Sequence, residues 1–368
     1  MEPLTFILFL AGLGLLVGGA ELLVRGVSRL AAIFGIPPLI IGLTVVAVGT
    51  SSPEIAVALQ SSASGQADIA LGNIIGSNIA NVLLILGLAA LVAPLAVPQL
   101  LIRQDVPIMI GISLLVLLLG LDGTLGLLDG LLLLAGIVSY LVFIVRQSRR
   151  ESARVKAEYA AEFGVDQPQA ERGWLRHLLA ALAGLGLLIV GADWLVDGAV
   201  AFARVLGVSE LIIGLTIVAV GTSLPEIATS MLASLRGQRD IAVGNVIGSC
   251  IFNLLLVLGL TVAVAPGGVP VPTPILHFDL PVMLATAVAC LPIFLNGHTI
   301  YRWEGGLFLG YSISYTCYLL LASSQHALLE PFSLLMLYFV MPLTVITLVI
   351  VLWRSVRARR RLAPPATD

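Results

Sequence analysis

Residues 49–87 read GTSSPEIAVALQSSASGQADIALGNIIGSNIANVLLILG, and residues 221–259 read GTSLPEIATSMLASLRGQRDIAVGNVIGSCIFNLLLVLG. The two stretches align without a gap at a constant offset of 172 positions, from Gly49 against Gly221 to Gly87 against Gly259. Self-similarity of this length marks an internal duplication. It extends backward to GAELLVRG at 19–26 against GADWLVDG at 191–198. Forward, with small slips, it reaches RQDVP against HFDLP and LDG against WEG. The chain therefore divides into a first repeat at 1–146, a linker at 147–173, a second repeat at 174–322 and a C-terminal extension at 323–368.

The repeats are built for lipid. Of 368 residues, 59% are hydrophobic and only 11% charged, and mean hydropathy is +1.07; a water-facing surface needs about 25% charged residues. A formal net charge of -2 offers no excess for a polyanion, which argues against a nucleic-acid partner. Cys250, Cys290 and Cys317 are too scattered for a disulfide framework or a CxxC metal site. The N-terminal run MEPLTFILFLAGLG lacks a positive leader and a cleavage site, so it is expected to stay as a span. With about 20 apolar residues per span and Gly, Pro and charge clusters as breaks, eleven spans are expected: 4–25, 36–62, 68–92, 105–121, 125–146, 174–197, 209–235, 240–264, 278–295, 303–322 and 331–353. With the N-terminus outside, Arg204 alone among the 19 Lys and Arg residues falls on the outer side, which satisfies the positive-inside rule. The linker (RQSRRESARVKAEYAAEF) and the RARRR tail at 357–361 are then cytoplasmic.

Five spans per repeat is an odd number, so the second copy is expected upside down relative to the first. The fold class is thus an all-α polytopic membrane protein of two inverted five-helix repeats, a ten-helix core, plus an eleventh C-terminal transmembrane helix. Inverted repeats are the plan of secondary transporters, with the binding site at the midplane between halves.

Each repeat places Gly-Thr-Ser-x-Pro-Glu near the middle of a span, at 49–54 and 221–226. Pro53 and Pro225 lack the N–H that would bond a carbonyl four residues back, so each span is expected to break there. Thr50 with Glu54, and Thr222 with Glu226, are spaced i, i+4 on one helical face. Hydroxyls, carbonyls and carboxylates together make a hard-oxygen donor set. The next spans carry polar stripes, Asn73, Ser77 and Asn81, then Asn245, Ser249 and Asn253. Beside these run Gly72 and Gly76, then Gly244 and Gly248, small residues that let helices approach closely. A lone membrane Ser or Asn ordinarily back-bonds its own helix or glues two helices, but a symmetric pair of mid-depth glutamates is functional by default. Asp68 and Asp240, at span starts, read as N-caps; Glu21, Asp193 and Asp197 read as span-end residues that reach water.

GTSSPE and GNIIGSNIAN, with GTSLPE and GNVIGSCIFN, resemble the paired alpha-repeats of the cation/calcium exchanger superfamily, close to its sodium/calcium exchanger branch. The resemblance covers both halves and implies antiport of Ca2+ for Na+ at a site built from both repeats. It implies Glu54, Glu226, Thr50 and Thr222 as calcium ligands. Ser51, Ser77, Ser223, Ser249 and the carbonyls of Ala47 and Ala219 are implied as sodium ligands. Asn81 and Asn253 complete the candidate set. The sequence departs from the pattern at Leu224 against Ser52, at Cys250 against Asn78, and at Asn253, where some exchangers carry Asp.

Two bare carboxylates make an empty site of charge -2, costly to move through low dielectric without a counter-ion. Ca2+ or several Na+ would neutralise the same pair and so exclude each other, which is exchange. The competing readings are a proton/Ca2+ or other divalent-cation exchanger, since a buried Glu pair also binds protons, and, further off, a cation channel. No catalytic residue and no cofactor are expected: the four histidines lie near span ends or in loops. The expected partners are inorganic cations as substrates and the lipid bilayer, in a bacterial plasma membrane.

Overall fold

The computed structural model describes residues 3–163, 174–205 and 219–362. Among these, nine helices are long and apolar enough to cross a membrane. A bent pair, Pro38–Thr50 followed by Ser52–Ala63 at 44°, makes a tenth if it is one span. The seventh expected span, 209–235, is described only from Ala219, as the short helix Ala219–Gly221 and the helix Leu224–Leu235. The protein is a polytopic helical membrane protein.

Two helices of 32 residues, Pro3–Phe34 and Trp174–Val205, outrun the expected 4–25 and 174–197. At 1.5 Å per residue each is about 48 Å long, against about 30 Å of hydrocarbon, and such helices are accommodated by tilt. Glycine lets them touch. A Cβ built on Gly12 would lie 2.8 Å from the Gly191 carbonyl oxygen, and one on Gly19 would lie 2.7 Å from that of Gly184. The contacts run antiparallel, and each is the other shifted by the repeat offset, since Gly12 corresponds to Gly184 and Gly19 to Gly191.

The same reciprocity recurs elsewhere. Ser62 donates to the Thr261 carbonyl at 3.2 Å, and Ser234 to the Ala89 carbonyl at 3.2 Å. Loops follow suit: Leu95–Ala96 pairs antiparallel with Thr299–Ile300, and Thr124–Leu125 with Val269–Pro270. Buried polar side chains and loop backbones thus find their partners across the repeats, which ties the halves into one body.

Between the broken helices and the polar stripes come tight turns at Gly65 and Gly237, both at φ 74°, where an L side chain would be strained. The helices that follow begin at Ala67 and Arg239, with Gln66 and Gln238 at the cap positions. Asp68 and Asp240 therefore fall one residue inside the helix and not at the cap; for Asp240, an acidic residue in the first turn is favoured by the helix dipole. These two spans are the most buried, at 72% of the apolar window in Ile69–Val92 and 83% in Arg239–Val264. A further difference lies after residue 146: the helix from Leu127 continues to Phe163, into the segment read as a linker. The last apolar helix, Leu329–Val351, has none of its window buried.

Candidate cation-binding site

The expected breaks occur where the prolines stand. Ser51 (φ −79°, ψ 9°) and Ser223 (φ −91°, ψ 7°) leave helical geometry, and Pro53 and Pro225 sit in the first turn of the helix that follows. The bend separates Thr50 from Glu54, so they belong to different segments and not to one continuous helical face. Glu54 and Glu226 are each 1% exposed.

Each break serine reaches the other repeat's glutamate. The Ser51 hydroxyl donates to Glu226 Oε1 at 3.0 Å, and the Ser223 hydroxyl donates to Glu54 Oε1 at 3.3 Å. Because Ser51 is three residues from Glu54, and Ser223 three from Glu226, these crossed bonds bring the two carboxylates to one place. The second oxygen of each, Oε2, is buried without a hydrogen-bond partner. A buried carboxylate oxygen in that condition costs far more than a buried hydroxyl, unless a cation supplies the missing partner.

Further unpartnered oxygens come from the polar stripes and from the second break. Ser77 Oγ, Ser249 Oγ, Asn81 Oδ1, Asn253 Oδ1 and Thr222 Oγ1 are all buried with no hydrogen-bond partner. Asn81 and Asn253 each open a stretch of π-helix, Asn81–Leu86 and Asn253–Val257. Widened turns of this kind recur at functional sites, and no hydrophobic periodicity announces them. Close approach of the stripes to the broken helices is visible on one side: a Cβ on Gly244 or Gly248 would lie 2.9 or 2.7 Å from the carbonyl oxygens of Leu39 and Leu43. By the repeat offset, the partners of Gly72 and Gly76 fall at 211 and 215, outside the described residues.

Other expected ligands are engaged differently. The Ala47 carbonyl accepts the Ser51 N–H at 3.0 Å and the Thr50 hydroxyl at 3.4 Å. The single Thr50 hydroxyl proton has a nearer alternative acceptor in Asn245 Oδ1, at 3.2 Å. Ala219 opens the described part of its helix, and the Ser223 N–H goes to the carbonyl of Val220, one residue further on, at 3.1 Å. Asn78 bonds its own helix at the Ile74 carbonyl, 2.8 Å, and Cys250, the residue at its repeat-equivalent position, is buried with its thiol directed at the Asn78 carbonyl, 3.8 Å away. Glu21 is held by Arg25 and Arg236 at the surface, while Asp193 and Asp197 are exposed. Ser230, which lies outside the polar stripes, accepts from Asn245 Nδ2 at 2.9 Å. Its signal was visible only as an asymmetry, a serine where the first repeat has Ala58.

Among the described residues no three His, Cys, Asp or Glu side chains come together. The candidate donor set, two carboxylates plus neutral oxygens, suits hard cations better than zinc or copper. Broken helices meeting at a buried carboxylate pair, inside a polytopic helical body, fit a membrane protein that handles cations.

Comparison with known proteins narrows the class. The sodium/calcium exchanger protein profile matches residues 4–146 and 176–323, and the chain belongs to that family. It is similar to CaxA of Alkalimonas amylolytica, named as a candidate antiporter, at 40% identity over 320 residues, covering 86% of this chain and 98% of the relative. It is 31% identical over 345 residues to the sodium/calcium exchanger MaX1 of Methanosarcina acetivorans, covering 86% and 98%. Among solved structures, the sodium-calcium exchanger NCX_Mj soaked with 10 mM Na+ and 10 mM Sr2+ superposes with a TM-score of 0.73 at 32% identity, over 85% of this chain and 97% of that one.

Proposed function

We propose that this protein exchanges Ca2+ for Na+ across a bacterial plasma membrane, by alternating access of one midplane site formed around Glu54 and Glu226. The observation that carries this reading is the crossed pair of bonds, Ser51 to Glu226 and Ser223 to Glu54, which leaves one oxygen of each buried carboxylate unpartnered. Two carboxylate oxygens with Asn81, Asn253, Thr50 and Thr222 offer Ca2+ six oxygens, the lower end of the six to eight it takes. Ser51, Ser77, Ser223 and Ser249, with the Ala47 and Ala219 carbonyls, offer neutral oxygens that desolvated Na+ needs and a proton does not. Both ions depend on the same two charges, so each displaces the other.

The two repeats are read as inverted five-helix units around this site. The antiparallel contact of repeat-equivalent helices at Gly12–Gly191 and Gly19–Gly184 supports that reading. A two-fold axis lying in the membrane plane is the symmetry that two access states require. The arginine asymmetry supports an outside N-terminus and a cytoplasmic C-terminus, with the span after residue 323 as an accessory.

Reconstituted vesicles loaded with Na+ and diluted into Na+-free buffer test the reading, with equal pH on both sides and a protonophore present. Ca2+ uptake that requires the Na+ gradient is the expected result. Uptake that follows an imposed pH gradient instead would make the protein a proton/Ca2+ exchanger, and uptake with no counter-ion at all would make it a channel.

A further inference from the structure

The two half-sites differ in one hydrogen-bonded chain. On one side the Thr50 hydroxyl donates to Asn245 Oδ1 at 3.2 Å, and Asn245 Nδ2 donates to Ser230 Oγ at 2.9 Å; all three residues are fully buried. The repeat offset maps this chain onto Thr222, Asn73 and Ala58. There it does not close: Thr222 Oγ1 and Asn73 Nδ2 are both buried without a hydrogen-bond partner, and Ala58 has no side-chain oxygen to offer. Ser230 lies four residues beyond Glu226, one turn along the same helix, yet its bond is to the stripe and not to the glutamate.

We infer that Ser230 is a positioning residue that acts through Asn245 to orient Thr50 as a cation ligand. An amide can present either end to a neighbour, and the Ser230 oxygen holds the NH2 end, so the carbonyl end faces Thr50. A hydroxyl whose proton is directed at a carbonyl keeps its lone pairs for another partner. Thr50 is thereby set with oxygen lone pairs available to a cation, before the ion arrives. Thr222 has no such chain behind it: it lies near the Glu54 carboxylate without a closed hydrogen bond, and so must give up rotational freedom when it binds. Preorganisation of this kind strengthens binding by lowering its ordering cost, so the Thr50 side carries more of the Ca2+ affinity than its symmetric counterpart.

This inference rests on the exchange reading above, and the test separates the two. In wild-type vesicles showing Na+-dependent Ca2+ uptake, Ser230→Ala is expected to raise the KM for Ca2+ about 5- to 10-fold, the worth of one buried hydrogen bond, with kcat changed by less than about 2-fold. Ser230→Thr, which keeps the oxygen, should stay near wild type. The decisive readout is a double-mutant cycle: Ser230→Ala should add little to Thr50→Ala but its full effect to Thr222→Ala. If Ser230→Ala does not purify, Asn245→Ala interrupts the chain at its middle and enters the same cycle. An unchanged KM in Ser230→Ala, or equal additivity with Thr50→Ala and Thr222→Ala, would overturn the inference while leaving exchange intact. Absence of any Na+-coupled uptake in the wild type would instead remove the exchange reading itself.

Discussion

The spans Ile69–Val92 and Arg239–Val264 and the last apolar helix, Leu329–Val351, are equally at home in a membrane by composition, with hydropathies of 2.1, 2.3 and 2.6. Their surroundings could hardly differ more: 72% and 83% of the first two windows are buried, and 0% of the third. The buried pair carries Ser77, Asn78, Asn81, Asn245, Ser249 and Asn253, all nearly inaccessible, while the peripheral helix presents Leu, Val, Ile and aromatic side chains outward. Since lipid is as apolar as leucine, burial alone gives a membrane helix no hydrophobic reason to sit at the centre. What the centre provides is shelter for polar groups, and the proposed cation site would account for so many of them there.

The contrast is sharpest under substitution. Glu54→Gln or Glu226→Gln should reduce Ca2+ exchange by about 100-fold or more, because calcium affinity is tuned by the charge of the ligand set. The same variants should purify normally and, in ion-free buffer, melt no lower than wild type, since removing a buried charge removes a desolvation cost. Normal flux, or a collapsed melting temperature, would mean that the carboxylates serve the fold and not the ion. At the other end of the scale, ending the chain after Ser323 should leave exchange within about 2-fold, because it removes only peripheral contacts, such as the Tyr311–Thr344 bond and the packing of Leu348, and none of the candidate ligands. The family match also stops at residue 323. Loss of exchange on that truncation would break the comparison and give the exposed helix a share in the mechanism.

Local chemistry was legible in the sequence, and cross-chain chemistry was not. Pro53 and Pro225 betray the helix breaks because a missing N–H acts on its own turn, and the gapless offset of 172 betrays the duplication. The stripe from Asn73 to Asn81 is readable because helical spacing is local. Which glutamate each break serine serves is another matter: Ser51 is three residues from Glu54 yet bonds Glu226, 175 positions away. That choice is set by how the repeats dock, as are the Thr50–Asn245–Ser230 chain and the paired loops. The π-helical turns at Asn81 and Asn253 escape for a different reason. One extra residue per turn leaves an all-apolar stretch such as VLLILG unchanged in composition, so no pattern records it. Tyr140 donating to Asp105 at 3.0 Å, and Tyr315 to Asp279 at 2.7 Å, form an equivalent pair of bonds, one within each repeat; the RQDVP and HFDLP alignment contains the acids, but only the fold supplies their partners.

The central claim is that Ca2+ and Na+ contend for one pair of buried carboxylates, and calorimetric titration of the purified protein with Ca2+ tests it most directly. In sodium-free, potassium-containing buffer, saturable binding is expected, absent in the Glu54→Gln/Glu226→Gln double variant. Adding Na+ should weaken the apparent Ca2+ affinity progressively, with Na+ itself releasing bound Ca2+. Ca2+ binding that is indifferent to Na+, or that survives intact in the double variant, would contradict the shared-site account.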